Sequence, residues 1–135
     1  MDKIWQEMME AARAVQNGRA ISRYVEAGGV AAAILGESGR IYTGVCVDTA
    51  CTLGICAERN AIFNMITNGE HRISRVLAVM GDGRVGAPCG ACRELMTQLM
   101  PEDYAGIRIL MDLETGREAT LGELTPQWWI KPDAR

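Results

Sequence analysis

An α/β fold, with a mixed sheet sandwiched between helices, is predicted by three features of this sequence. Strand-length apolar runs alternate with stretches of helical periodicity, two of the runs are joined by a turn-forming segment, and single helical stretches separate the later strands. At 135 residues the chain can bury one core and not several, so 1–135 is read as a single domain.

The elements follow in order. Over residues 2–17, Ile4, Met8, Ala11, Ala12 and Val15 recur at three- and four-residue spacing and Gly18 stops the pattern, which predicts an amphipathic helix covering the sheet. Apolar runs at 30–35 and 41–47 flank Gly36-Glu37-Ser38-Gly39-Arg40, a hairpin pattern in which both strands are expected to be largely buried. A helix is expected over 56–67, ended by Asn68-Gly69, followed by a strand over 76–80 and a turn at Gly81-Asp82-Gly83. Pro88 precedes a second helix over 89–100, halted by Pro101, and 107–111 makes a further strand. The order αββαβαβ implies an antiparallel hairpin followed by right-handed, parallel crossovers. One helical turn is expected at 121–124, and Pro126, Trp128, Trp129 and Pro132 read as an extended tail docked by its aromatics.

Hydrophobic residues at 48% and charged residues at 23% exclude a disordered or fibrous chain. Fourteen Lys plus Arg against 17 Asp plus Glu give a net charge of -3, the wrong sign for neutralising phosphates, so the expected partner is a small molecule and not a nucleic-acid polymer. No apolar run approaches the ~20 residues that cross a bilayer, and the N-terminus lacks a secretory pattern, so no membrane partner and a cytoplasmic location are expected. Cysteines at 46, 51, 56, 89 and 92 are odd in number, and in a reducing compartment they point to metal binding or reactivity rather than disulfides.

Pro88-Cys89-Gly90-Ala91-Cys92 places two thiols at i and i+3, on one face of a helix start whose partial positive charge favours thiolate. Alone, this spacing is equally a redox pair, a chance occurrence or a zinc half-site. Cys56-Ala57-Glu58-Arg59 stands at another predicted helix start, and a crossover brings two such starts together. Three thiolates without a fourth protein ligand describe a catalytic zinc with an open position for water. Zinc would lower that water's pKa toward neutrality, and Glu58 is placed to shuttle its proton if Cys56 sits at the first turn. Three thiolates on a dication leave a charge of about -1, which a guanidinium from Arg59 or Arg93 would offset.

These two segments, Leu53-Gly54-Ile55-Cys56-Ala57-Glu58-Arg59 and Ala87-Pro88-Cys89-Gly90-Ala91-Cys92-Arg93, resemble the small cytidine deaminases and blasticidin S deaminase. The resemblance covers essentially the whole chain in length and element order. It implies a three-layer α/β/α sandwich around a mixed five-stranded sheet, one zinc per subunit on Cys56, Cys89 and Cys92, and Glu58 as proton shuttle. It also implies Arg59 as the sulfur's hydrogen-bond partner, Ala57 and Ala87 against the substrate, and a homotetramer, with a dimer as the alternative. The reaction implied is hydrolytic removal of the exocyclic amine of a cytosine nucleoside as ammonia, converting cytidine or deoxycytidine to uridine or deoxyuridine in pyrimidine salvage.

The recognition half departs from the family pattern. Where plain cytidine deaminases read the ribose with Asn and Glu in Gly-x-Asn-x-Glu-Asn, this chain has Gly44-Val45-Cys46-Val47-Asp48-Thr49. Cys46 is a poor partner for a hydroxyl and Asp48 is a methylene shorter. The aromatic that packs near the base is also absent, with Gly28 and Gly29 in its region. Cys46 and Asp48 therefore contact either an altered sugar, as in a modified nucleoside such as blasticidin S, or ribose with weaker selectivity. Cys51 reads as a small buried residue, His71 as exposed, and methionines 8, 9, 65, 96 and 100 as packing residues. A non-catalytic zinc module, a thiol redox protein using Cys89 and Cys92, and a polynucleotide deaminase are the competing classes; the first leaves Glu58 unexplained, and the second predicts no bound metal and no dependence on Cys56.

Overall fold

The computed structural model describes residues 2–131. Asp2 accepts the Trp5 backbone N–H at 2.9 Å and so caps α1 (Lys3–Val15), which buries Trp5, Met8, Met9 and Ala12 along one stripe. Then come β1 (Arg19–Ala20), β2 (Glu26–Gly36), β3 (Ile41–Asp48), α2 (Ala57–Thr67), β4 (Ile73–Val79) and α3 (Gly90–Leu99). A 3-10 turn (Tyr104–Gly106), β5 (Arg108–Leu110), β6 (Glu118–Thr120) and α4 (Leu121–Leu124) complete the order.

The sheet runs β3-β2-β4-β5-β6, with β1 beside the first residues of β2. β2 is antiparallel to β3 and to β4, β4 and β5 are parallel, and β6 returns antiparallel. Strand alternation sorts the side chains between two faces. Ala32, Ile34, Val76, Ala78 and Ile109 meet Ala61, Ile62 and Met65 of α2 and Met96 of α3. Ala31, Ala33, Leu35, Leu77, Val79 and Leu110 meet the buried stripe of α1. The result is the expected three-layer α/β/α sandwich.

Two points differ from the sequence reading. The sheet has six strands rather than five, because the two-residue β1 adds a short pairing that carries no periodicity of its own. The hairpin strands are also unequally buried: β2 is buried over most of its length, whereas in β3 only Tyr42 is. Among the described strands β3 pairs only with β2, and on its other side Asn60 and Asn64 of α2 donate side-chain N–H groups to the carbonyls of Val45 (3.0 Å) and Thr43 (3.1 Å). Polar side chains thus cover an open sheet edge that would otherwise invite pairing.

Met8, Met9, Met65, Met96 and Met100 are all buried, and His71 is exposed, as expected. In the tail, Trp128 is buried and meets the Tyr104 ring edge-on at 5.6 Å, while Trp129 is 70% exposed. Both indoles donate to the Glu94 carboxylate on α3, at 3.1–3.3 Å. Pro132 lies outside the described residues. Among the described residues no helix is long and apolar enough to cross a membrane.

Candidate metal centre

Cys56 and Cys89 occupy equivalent places, each the N-cap of the helix it precedes, with extended backbone (φ -69, ψ 152 and φ -68, ψ 170) and no capping hydrogen bond from its side chain. The route into Cys56 is set by an isolated bridge in which Val47 and Ile55 exchange backbone hydrogen bonds at 3.0 and 2.9 Å. Gly54 permits that return, since a Cβ there would lie 2.3 Å from the Val47 carbonyl oxygen. Cys92, one turn into α3, is fully buried on the same side.

The crossovers from β3 through α2 and from β4 through α3 bring these thiols together. Cys56 Sγ is 3.4 Å from Cys89 Sγ, Cys89 Sγ is 3.5 Å from Cys92 Sγ, and all three lie within 4.8 Å of one another. Tetrahedral zinc with bonds of ~2.3 Å needs sulfurs about 3.8 Å apart, so the donor set fits in both chemistry and spacing. The thiols differ electrostatically. Burial pushes Cys92 well up, with Glu58 and the other thiols adding to it. Burial also opposes ionisation of Cys89, but backbone N–H groups of Cys92 and Ala91 and the neighbouring thiols outweigh it, and the net shift is downward.

Glu58 falls in the first turn of α2, where the sequence argument required it, and is only 6% exposed. Burial raises its carboxyl above the usual range, against smaller lowering contributions from its own backbone N–H and Arg59. Arg59 Nη2 lies 3.6 Å from Cys56 Sγ, a position that stabilises thiolate. Among the described residues Arg93 makes no hydrogen bond to a sulfur; its Nη1 donates to the Pro88 carbonyl at 2.8 Å.

A cleft of about 320 Å³ opens beside Cys56 and Arg59, with Cys46, Asp48, Cys51 and Thr52 on its other walls. Cys46 and Asp48 line the same cleft as Cys56, although Cys46 Sγ is already engaged by the Val30 backbone N–H at 3.2 Å. Ala57 has its methyl in the core and Ala87 is exposed; neither lines this cleft. Cys51 corrects an expectation: it is exposed, not buried, because it sits in the loop that leaves the sheet after Asp48. Glu94, which holds both tail indoles, escaped the sequence reading, since nothing near it in the chain marks a partner 34 residues away.

The family model described as the cytidine and deoxycytidylate deaminase zinc-binding region matches residues 3–105. A cytidine deaminase from Halalkalibacterium halodurans is 35% identical over 101 residues, which cover 72% of this chain and 74% of that protein. A blasticidin-S deaminase from Bacillus cereus is 30% identical over 106 residues, again 72% and 74% of the two chains. Among solved structures, cytidine deaminase from Mycobacterium leprae matches with a TM-score of 0.75 and 29% identity, over 93% of this chain and 100% of that one.

Proposed function

This chain belongs to the cytidine and deoxycytidylate deaminase family, and from that premise we propose that it hydrolytically deaminates cytidine or deoxycytidine at the centre formed by Cys56, Cys89 and Cys92. The observation that carries this reading is the convergence of three sulfurs within 4.8 Å, with the buried carboxyl group of Glu58 in the first turn of the helix that Cys56 caps, close enough to act on Cys92. Zinc held by those sulfurs supplies a Lewis acid and a water of lowered pKa.

The chain's own groups do the rest. Glu58 accepts a proton from the attacking water and passes it to ring N3, then delivers a second proton to the departing amine, which leaves as ammonia. Burial suits it to that work, because raising a carboxyl's pKa makes it a better acceptor for the water's proton and brings it nearer the working pH, where one group can both take and give a proton. Arg59 offsets the negative charge that three thiolates bring, through Cys56 Sγ. Asp48 lies in the same cleft and is assigned to the sugar side of the substrate. Ala57, with its methyl buried, offers the ring only its backbone, and exposed Ala87 stands before the Pro88 that opens α3.

The reading extends to a homotetramer, supported by the large apolar residues Phe63 and Ile66 on the outer side of α2, and light scattering checks it. Its five unpaired cysteines suit a reducing compartment, and we assign the activity to cytoplasmic pyrimidine salvage. The decisive experiment is ammonia release from cytidine, deoxycytidine, cytosine and adenosine, with Glu58→Gln beside the wild type. Zinc content should stay at one per chain in the variant while kcat falls about 10²–10⁴-fold. Unchanged turnover in Glu58→Gln would overturn the assignment.

A further inference from the structure

The cleft beside Cys56 has Asp48 on its wall. This residue closes β3 and lines two clefts of about 320 Å³ each: the one shared with Cys56, and a second whose walls include Arg19, Glu26, Ala27 and Gly29. The first alone reaches the lower end of the size expected of a small-molecule site, about 300–1,000 Å³. The second shares Asp48 with it, and none of the three cysteines lines that second cleft.

Its shape follows from an irregularity in β2. The register against β3 shifts between Ala27 and Ala31, and Gly28 and Gly29 within that interval bring no side chain to the wall. Gly28 is fixed at φ +88, and a Cβ there would lie 2.2 Å from the Asn17 carbonyl oxygen, so a side chain at this position would collide with backbone.

Its charge follows from the register itself. Glu26 stands directly opposite Asp48 across β2 and β3, an arrangement of like charges that weakens a sheet unless something neutralises it. Neither carboxylate has a hydrogen bond or ion pair among the described residues. Arg19, the cation of the lining, gives its Nη1 to the Asn17 carbonyl at 2.9 Å. Cys46, meanwhile, has its sulfur taken by the Val30 N–H, so sugar hydroxyls gain little from it.

We propose that the cleft beyond Asp48 is a subsite for a positively charged substituent on the sugar of a cytosine nucleoside, held between Glu26 and Asp48. The assignment rests on the deaminase reading above, with the base at the sulfur end and the sugar toward Asp48. It does not depend on which sugar carbon bears the substituent.

The test compares kcat/KM at pH 7 for cytidine, for 5′-amino-5′-deoxycytidine and 3′-amino-3′-deoxycytidine, and for the N-acetyl form of each amine, which is neutral. At least one amine should exceed its N-acetyl form about fivefold, the effect of one solvent-exposed ion pair. Glu26→Gln should reduce that ratio to about twofold, as should raised salt in the wild type. Using a ratio within each enzyme cancels any loss of folded protein. Turnover of cytidine with both ratios near one, or with ratios that Glu26→Gln leaves unchanged, overturns the subsite and leaves the deaminase reading standing. Absence of ammonia from every compound, with zinc bound, removes both.

Discussion

Replacing Gly44 by Ala tests whether the metal centre depends on how closely α2 lies on the sheet. A Cβ at position 44 would fall 2.3 Å from the Ala61 backbone nitrogen and 2.8 Å from both Ala61 Cα and the Asn60 carbonyl carbon. Those atoms belong to the helix backbone, so relief to an ordinary contact of about 3.4 Å requires α2 to move by roughly 1 Å. Overpacking of this kind costs about 1–3 kcal/mol. At about 4 °C per kcal/mol for a chain of this size, the melting temperature should drop by roughly 4–12 °C. The same movement carries Cys56 away from Cys89, now 3.4 Å distant, and metal sites accept only about ±0.2 Å in ligand distances. Zinc affinity, read by competition with a chromophoric chelator, should therefore fall along with the melting temperature. Gly106→Ala is the control, since a Cβ there meets nothing within 4 Å. A Gly44→Ala protein that melts with the wild type and holds zinc equally well would refute the argument that this contact sets the position of Cys56.

Removing Arg59 should weaken zinc binding by about 10–100-fold, the usual effect of losing a group that supports a metal ligand. Chelator competition on Arg59→Ala checks this, and unchanged affinity would show that the contact with Cys56 Sγ is idle. Glu70 governs a different property: it accepts hydrogen bonds from the Ser38 N–H (2.9 Å), the Ser38 hydroxyl (2.6 Å) and the Tyr42 hydroxyl (2.8 Å), and the Ser38 contacts chiefly hold its carboxyl below the ordinary 4.5. A folded pKa below the unfolded one stabilises the protein above about 4.5, and that contribution is lost as pH falls through the folded value. Melting curves of Glu70→Gln should thus lie below wild type at pH 7 and converge with it in acid; a constant gap would contradict the linkage.

How much of this was legible in the chain depends on the range of the interaction. α2 and α3 begin within one residue of the expected positions because Cys56 and Cys89 are caps, and capping is a local property. The meeting of Cys56 with the Cys89 and Cys92 pair was readable because the alternation of strands and helices fixes crossover topology. β1 and β6 were not readable, since two or three residues carry no period and pair only because longer neighbours present an edge. The burial of β3 was misjudged for a related reason: its apolar run does not reveal that it lies at the sheet's margin beneath Asn60 and Asn64. The opposition of Glu26 and Asp48 is a matter of register, which local composition does not disclose.

The placement of the three sulfurs also fixes when in folding they can act together. Cys89 and Cys92 are three residues apart and meet in any conformation that forms one helical turn, but Cys56 is 33 residues from Cys89. Closing that span requires α2 and β4 to be laid down between them, and loop closure over such distances is costly until the intervening contacts exist. An unfolded chain thus offers zinc two close ligands and one remote one. Tight occupancy follows assembly of both crossovers rather than seeding it, and the ion's binding energy accrues to the finished topology.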